Sequence, residues 1–323
     1  MADGSAKVVY AALAGNTAIA AAKFAAFALS GSSAMLTEAI HSCVDSTDQV
    51  LLLVGQLRAR KRRDRSHPLG YGMETYFWSF VVALVVFGLG GVASVYEGFH
   101  RLRHPAEGHP SLGLNLSVLA IAGVFEGLTF ALAFREYKRV VGPRNTPLWT
   151  FIKASKDPNL YATLLEDGAA LIGVAIAAIG VILTNLAHVR WADGVASIAI
   201  GLLLMAVSMV LANETRSLIA GEAVAPPILE ELKRVIAADP RMPRVDEVAT
   251  LHLGPKVIMV ALTVRFDSQA KLADFGTCVG DVSQALKAQD ERVSYVYVRP
   301  APPRPEAASG ISASAETADA ARP

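Results

Sequence analysis

The sequence predicts an α-helical membrane protein: six transmembrane helices followed by a small cytoplasmic α+β domain of order αββαβ. Three observations predict it. Hydrophobic residues make up 53% of the 323 positions, and the mean hydropathy of +0.39 is too high for an ordinary soluble domain. They gather into six blocks, roughly 8–29, 34–54, 75–99, 112–134, 160–183 and 192–212, each near or above the ~20 residues a helix needs to cross a bilayer. Beyond Arg216 the blocks give way to short segments of period two or 3.6. The expected division is 1–216 transmembrane, 217–299 cytoplasmic α+β, and 300–323 a disordered tail of Pro, Ala and Ser.

The first block ends in Ala28-Leu29-Ser30, which looks cleavable, but it is longer than a signal-peptide core and five more blocks follow. It reads as an uncleaved span, with Lys23 close enough to the outer end to snorkel. The second block carries a polar stripe: Glu38, His41, Asp45 and Asp48, in steps of three and four that share one helix face. In the third, Gly88, Gly90 and Gly91 permit close helix contact. Glu126 interrupts the fourth. Asp157-Pro158 offers an N-cap and a proline at the first helical position of the fifth, which also holds Glu166 and Asp167.

Charge sets the orientation. Arg58 to Arg65 between blocks two and three, and Arg135 to Lys156 between blocks four and five, are strongly basic, whereas the opposite loops carry Arg101, Arg103 and Arg190. The positive-inside rule puts the basic loops and both termini in the cytoplasm. The same placement argues against a nucleic-acid patch in the Arg cluster. With no Arg-rich transit peptide at the start, a bacterial inner membrane is the expected location.

In the C-terminal part, Ile228–Ala238 and Lys271–Gln289 read as amphipathic helices. Val248–Leu253 and Val257–Phe266 read as strands about the turn Gly254-Pro255-Lys256, and Val293–Val298 alternates as a third. Two helices on one face of a small sheet suit this order.

Ionisable groups in hydrocarbon are costly and survive where they face a bundle interior, pair, or line an ion path. One imidazole among carboxylates is also a ligand set for divalent metals. The stripe holds more acids than inter-helix hydrogen bonding needs, so metal-ion transport is the favoured reading. No HExxH, GxSxG or CxxC is present and Cys43 and Cys278 lie far apart, which argues against protease, hydrolase and thiol-redox enzymes.

Lys23, Ser30-Gly31-Ser32, Glu38-Ala39-Ile40-His41-Ser42 and Asp45 resemble the first two helices of the cation diffusion facilitator family. His67-Pro68-Leu69-Gly70-Tyr71-Gly72 with Tyr96-Glu97-Gly98 resembles its basic loop and third helix, and Asp193 with Ala196-Ser197 the start of its sixth. The resemblance extends to about Pro300, and Leu165-Glu166-Asp167 is most similar to the branch containing the mitochondrial zinc exporter. It implies a homodimeric, proton-coupled exporter of a divalent cation, zinc first and iron, cobalt or manganese as alternatives, with no resident cofactor. A non-transporting regulatory subunit is the other reading.

The resemblance also implies the site. The family takes two ligands four apart from helix two and two four apart from helix five, which match His41 and Asp45, and Thr163 and Asp167. Thr163 replaces the His usual in zinc-type members, leaving Glu166, Glu126 or water to complete the shell. Some relatives bind extra zinc in the basic loop; the matching positions here are Asp64, His67 and Tyr71, with one imidazole lost. The expected cytoplasmic domain dimerises without a metal site of its own, His252 being its single histidine.

Overall fold

The computed structural model describes residues 2–104, 112–142, 146–238, 244–265 and 272–301. Long helices run as α1 (Ala2–Ser30), α2 (Ser33–Ala59), α3 (Glu74–Arg103), α4 (Leu112–Val141), α6 (Pro158–Leu186) and α7 (Ala192–Ile219), with the short α5 (Leu148–Ala154) before α6. By length and apolarity α3, α4, α6 and α7 can each cross a membrane. The α1 and α2 helices are as long, at 29 and 27 residues, and α2 gives up hydropathy to its polar stripe.

Local signals explain the helix ends. Gly31 takes a left-handed turn (φ 64°) between α1 and α2, where a Cβ would be strained. Ser32 then caps α2, its hydroxyl accepting from the backbone of Met35. Asp157 caps α6 by accepting from Asn159 N–H at 3.1 Å, with Pro158 beginning the helix. Its carboxyl is pushed up from the usual range by burial, against that hydrogen bond.

The six long helices form a ring in which neighbours pack in the order α1, α2, α3, α7, α6, α4 and back to α1. Across the ring α2 also touches α6 and α7. Small residues set the closest approach: a Cβ on Gly98 would stand 2.6 Å from Gly194 O, and one on Gly201 2.8 Å from Gly91 O. The α3 and α7 backbones therefore meet at Gly pairs seven residues apart on each helix. Gly91 fulfils the expected contact role, whereas Gly88 has open space beside it. The π-helical stretch Val86–Val92 holds these glycines within α3.

The bundle is apolar on its outside. On α4, Ile121, Val124, Leu128 and Leu132 are each more than 60% exposed, while Glu126 on the same helix is buried. Apolar residues outward and carboxylates inward suit a lipid solvent; the chain is a membrane protein with several apolar helices.

The chain divides into two compact units, Met1–Ala223 with Leu251–Val257, and Val224–Thr250 with Ile258–Pro323. After α7 in the chain, α8 (Pro226–Ala237), β1 (Arg244–Gly254), β2 (Val257–Arg265), α9 (Leu272–Gln289) and β3 (Val293–Pro300) follow in the expected αββαβ order. The sheet order is β1-β2-β3, with β2 and β3 parallel and a bulge between Ile258 and Met259. A two-residue connection makes β1 and β2 a hairpin, and α9 supplies the crossover that a parallel pair requires. Ile258, Val260, Leu262 and Val264 point to one face of β2 and pack with Leu232 and Ile236 of α8 and Val282 and Leu286 of α9. Ala301 N–H still donates to Val264 O at 2.8 Å; the rest of the expected tail lies outside the described residues.

Candidate metal site

The stripe on α2 faces inward. Glu38, His41 and Asp48 are at most 1% exposed, and on α6, which packs across α2, Glu166 and Asp167 each keep one buried oxygen without a hydrogen-bond partner. Helical spacing puts the imidazole over the carboxylate one turn on: His41 Nδ1 lies 3.4 Å from Asp45 Oδ1. The pair is close but its geometry makes no hydrogen bond, so both ring nitrogens and Asp45 Oδ1 stay unpartnered. Two ring nitrogens and one carboxylate oxygen are thereby left unpartnered inside the bundle, where an unmet carboxylate is costly unless a cation or proton meets it.

Asp45 is the electrostatic centre. It acts on Asp48, Glu126, Glu166 and Asp167, drawing α2, α4 and α6 into one acidic cluster. Asp48 holds both oxygens unpartnered and also senses Glu166. Asp167 lies beside Thr129 of α4. Among the described residues no three His, Cys, Asp or Glu side chains converge closely enough to enclose a metal.

Thr163 sits one turn from Asp167 and its hydroxyl donates to Asn159 O at 2.9 Å, within its own helix. The lone pairs of that oxygen remain available, and the residue lines a cavity of about 760 Å³ together with Gln56, Thr129 and Asn159. This cavity lies where α2 ends and α6 begins, the end of the bundle that carries both basic loops.

Lys23 corrects the expectation drawn from sequence. It does not snorkel: it is fully buried, and its ammonium donates to Glu38 Oε2 at 2.9 Å and Ser42 Oγ at 2.7 Å. The signal was present, since seven residues separate it from the helix end at Ser30, about 10 Å of rise, more than the side chain can span.

In the basic loop, Tyr71 stands at the position where the resemblance implied a lost imidazole. Its hydroxyl donates to Asp64 Oδ2 at 2.6 Å, while Ser66 and His67 N–H donate to Asp64 Oδ1 at 2.9 and 2.8 Å. The His67 and Tyr71 rings stand 4.1 Å apart, and the Lys61 ammonium lies 4.7 Å from the Tyr71 ring centre. The Tyr71 hydrogen bond, with those from the backbone, holds the Asp64 carboxyl below its usual range and pushes the Tyr71 phenol up. The loop is thus cross-braced by organic hydrogen bonds.

At the other end of the bundle, Asp193 on α7 gathers Ser32, Ser33 and Ala34 at the start of α2, and Arg101 of α3 lies 3.7 Å away. Arg101 also donates to Gly31 O. Sequence reasoning singled out Asp193 only through the family resemblance and assigned it no role.

Comparison with known proteins bears on this arrangement. Residues 9–220 match the model of the cation efflux transmembrane domain. The chain is similar to the human mitochondrial proton-coupled zinc antiporter, 31% identical over 299 residues, 91% of this chain and 52% of that protein. It is similar to metal tolerance protein C4 of Arabidopsis thaliana, at 26% identity over 80% of this chain and 57% of the relative. It is also similar to the manganese efflux system protein MneP of Bacillus subtilis, at 25% over 83% and 86%. The chain spans about half the length of the zinc antiporter it matches. The matched transmembrane segment covers well over half of the chain, which belongs to the cation diffusion facilitator family.

Proposed function

We propose that this chain exports a divalent metal cation from the cytoplasm, zinc foremost, in exchange for protons. The observation that carries the reading is the unpartnered His41–Asp45 pair on α2, with Asp45 in the field of Glu166 and Asp167 of α6, inside a helix ring whose outer face is apolar. His41, Asp45 and Asp167 are the proposed ligands, with Thr163 and Glu166 competing to complete the shell. An imidazole among carboxylates favours zinc, and the names of the zinc antiporter relatives point the same way. The same groups accept manganese, iron or cobalt, and a manganese efflux protein is among the relatives.

Metal binding displaces protons from its ligands, so a gradient of protons entering from the outer side would drive release there. In this reading the basic loops and both termini face the cytoplasm, and the 760 Å³ cavity is the cytoplasmic approach to the acids. The working unit is a homodimer whose cytoplasmic domain stays dimeric in chelator, and the chain carries no enzymatic activity. The test is ion flux in proteoliposomes across zinc, manganese, cobalt and iron(II), with and without an inward proton gradient. Zinc flux accelerated by the gradient is expected; no flux of any of the four ions overturns the reading.

The Thr163 hydroxyl, turned to its own helix, favours a second reading, a regulatory subunit with a degenerate site. That reading predicts zinc binding without flux in the same liposomes.

A further inference from the structure

The acid cluster contains a cation of its own. Lys23 arrives from α1, is shielded from solvent, and is held by Glu38 Oε2 and Ser42 Oγ of α2. The other Glu38 oxygen has no hydrogen-bond partner and lies against Gly173 of α6, where a Cβ would stand 2.7 Å away. Two hydrogen bonds in a buried position hold the ammonium in place. Its charge acts on Asp45, on Glu126 and on His41. Asp45, within its field, retains an unpartnered oxygen, and Asp48, Glu166 and Asp167, which Asp45 in turn acts on, each retain at least one.

A salt bridge to Glu38 alone would explain a buried lysine. It does not explain why the pair is built one turn from His41, within the field of the proposed ligands. Buried charges interact at effective dielectric constants of about 20 rather than 80, so a fixed positive charge there has two consequences. With the cargo absent it offsets part of the repulsion among the acids. With the cargo present it repels a doubly charged ion, raising the energy of the loaded state and favouring release.

We propose that Lys23 is the built-in counter-cation of the transport site, setting cargo affinity low enough for turnover. This rests on the metal-export reading above. Lys23 touches no ligand; it acts through its charge, held in place by Glu38 and Ser42.

The full-length chain in lipid nanodiscs provides the binding test, with zinc and manganese titrated by calorimetry, and proteoliposomes provide the flux test. Lys23→Gln, which keeps hydrogen-bonding capacity but not charge, is expected to tighten the metal Kd by about tenfold or more while the maximal flux falls. Lys23→Arg, which keeps the charge, shifts the Kd less than Lys23→Gln does. Glu38→Gln, which leaves the ammonium less compensated, is expected to weaken binding. A residue needed only for packing would lower folded yield and flux together without tightening the Kd. Unchanged or weaker metal binding by folded Lys23→Gln overturns the inference. If Lys23→Gln does not fold, Glu38→Gln decides, and unchanged or tighter binding there overturns it. A wild-type protein that binds neither ion removes the export reading itself, and this inference with it.

Discussion

Asp193 receives Ser33 twice: its Oδ2 accepts the Ser33 N–H at 2.6 Å and the Ser33 hydroxyl at 2.9 Å. The other oxygen accepts Ser32 Oγ–H at 2.6 Å and Ala34 N–H at 3.2 Å. The carboxylate satisfies the open N–H groups of α2 where the helix dipole favours a negative charge, while Arg101 balances it. The helix bearing His41 and Asp45 is thereby fastened to α7 and α3 at one end. Asp193→Ala leaves those donors and Arg101 without their partner and is expected to destabilise the protein by about 3 kcal/mol. A thermal-unfolding series in nanodiscs checks it, and Asp193→Asn should lose less because it can still accept hydrogen bonds.

Asp45 acts on Asp48, Glu126, Glu166 and Asp167, the last two across the α2–α6 contact. Asp45→Asn or Asp167→Asn should abolish metal flux in liposomes while the protein stays folded. Flux near the wild-type rate in either variant removes that residue from the site.

Thr163 lies one turn from Asp167 and faces a cavity. Thr163→His places a nitrogen ligand there and is expected to tighten zinc binding by more than about tenfold, which corresponds to about 1.4 kcal/mol. Calorimetry yielding an unchanged Kd would assign the remaining coordination to Glu166 or water.

Gly173 leaves room for Glu38 Oε1, which would stand 2.7 Å from an added Cβ. Since Glu38 is pinned by Lys23 on its other oxygen, it cannot swing aside freely. Gly173→Ala should cost about 1–3 kcal/mol of stability, read as a lower melting temperature, and Glu38→Gln in the same background should recover little of it.

The basic loop carries a pH dependence. Asp64 is held below the usual carboxylate range because Tyr71 and the backbone of His67 donate to it. A carboxyl with a depressed folded-state pKa contributes stability that is present above its unfolded value, near ~3.9, and is lost as pH falls through the folded value. Tyr71→Phe removes the largest cause and should move the Asp64 titration upward, as followed by NMR of carboxyl-labelled protein in nanodiscs.

Much of the fold was legible in the residues themselves. Block lengths marked the helices, Asp157-Pro158 marked the start of α6, and period-two alternation marked the strands of the αββαβ part. The inward stripe of Glu38, His41, Asp45 and Asp48 was also readable, because helical spacing fixes which residues share a face on their own helix. What that spacing cannot specify is which face of another helix lies opposite. Lys23 was therefore read as reaching for the surface, and Asp193 carried no role, until packing brought α1 and α7 against α2.

By itself, then, the sequence determined the helices, the αββαβ order and the polar face of α2, all of which follow from local periodicity and capping. The tertiary structure alone decided that Lys23 closes on Glu38 and Ser42, that Glu38 rests on Gly173, and that Asp193 caps a helix 160 residues earlier in the chain. Those contacts join helices whose mutual orientation is selected by close packing of small residues, as at Gly98 and Gly194. That selection is a property of matched surfaces rather than of any one segment.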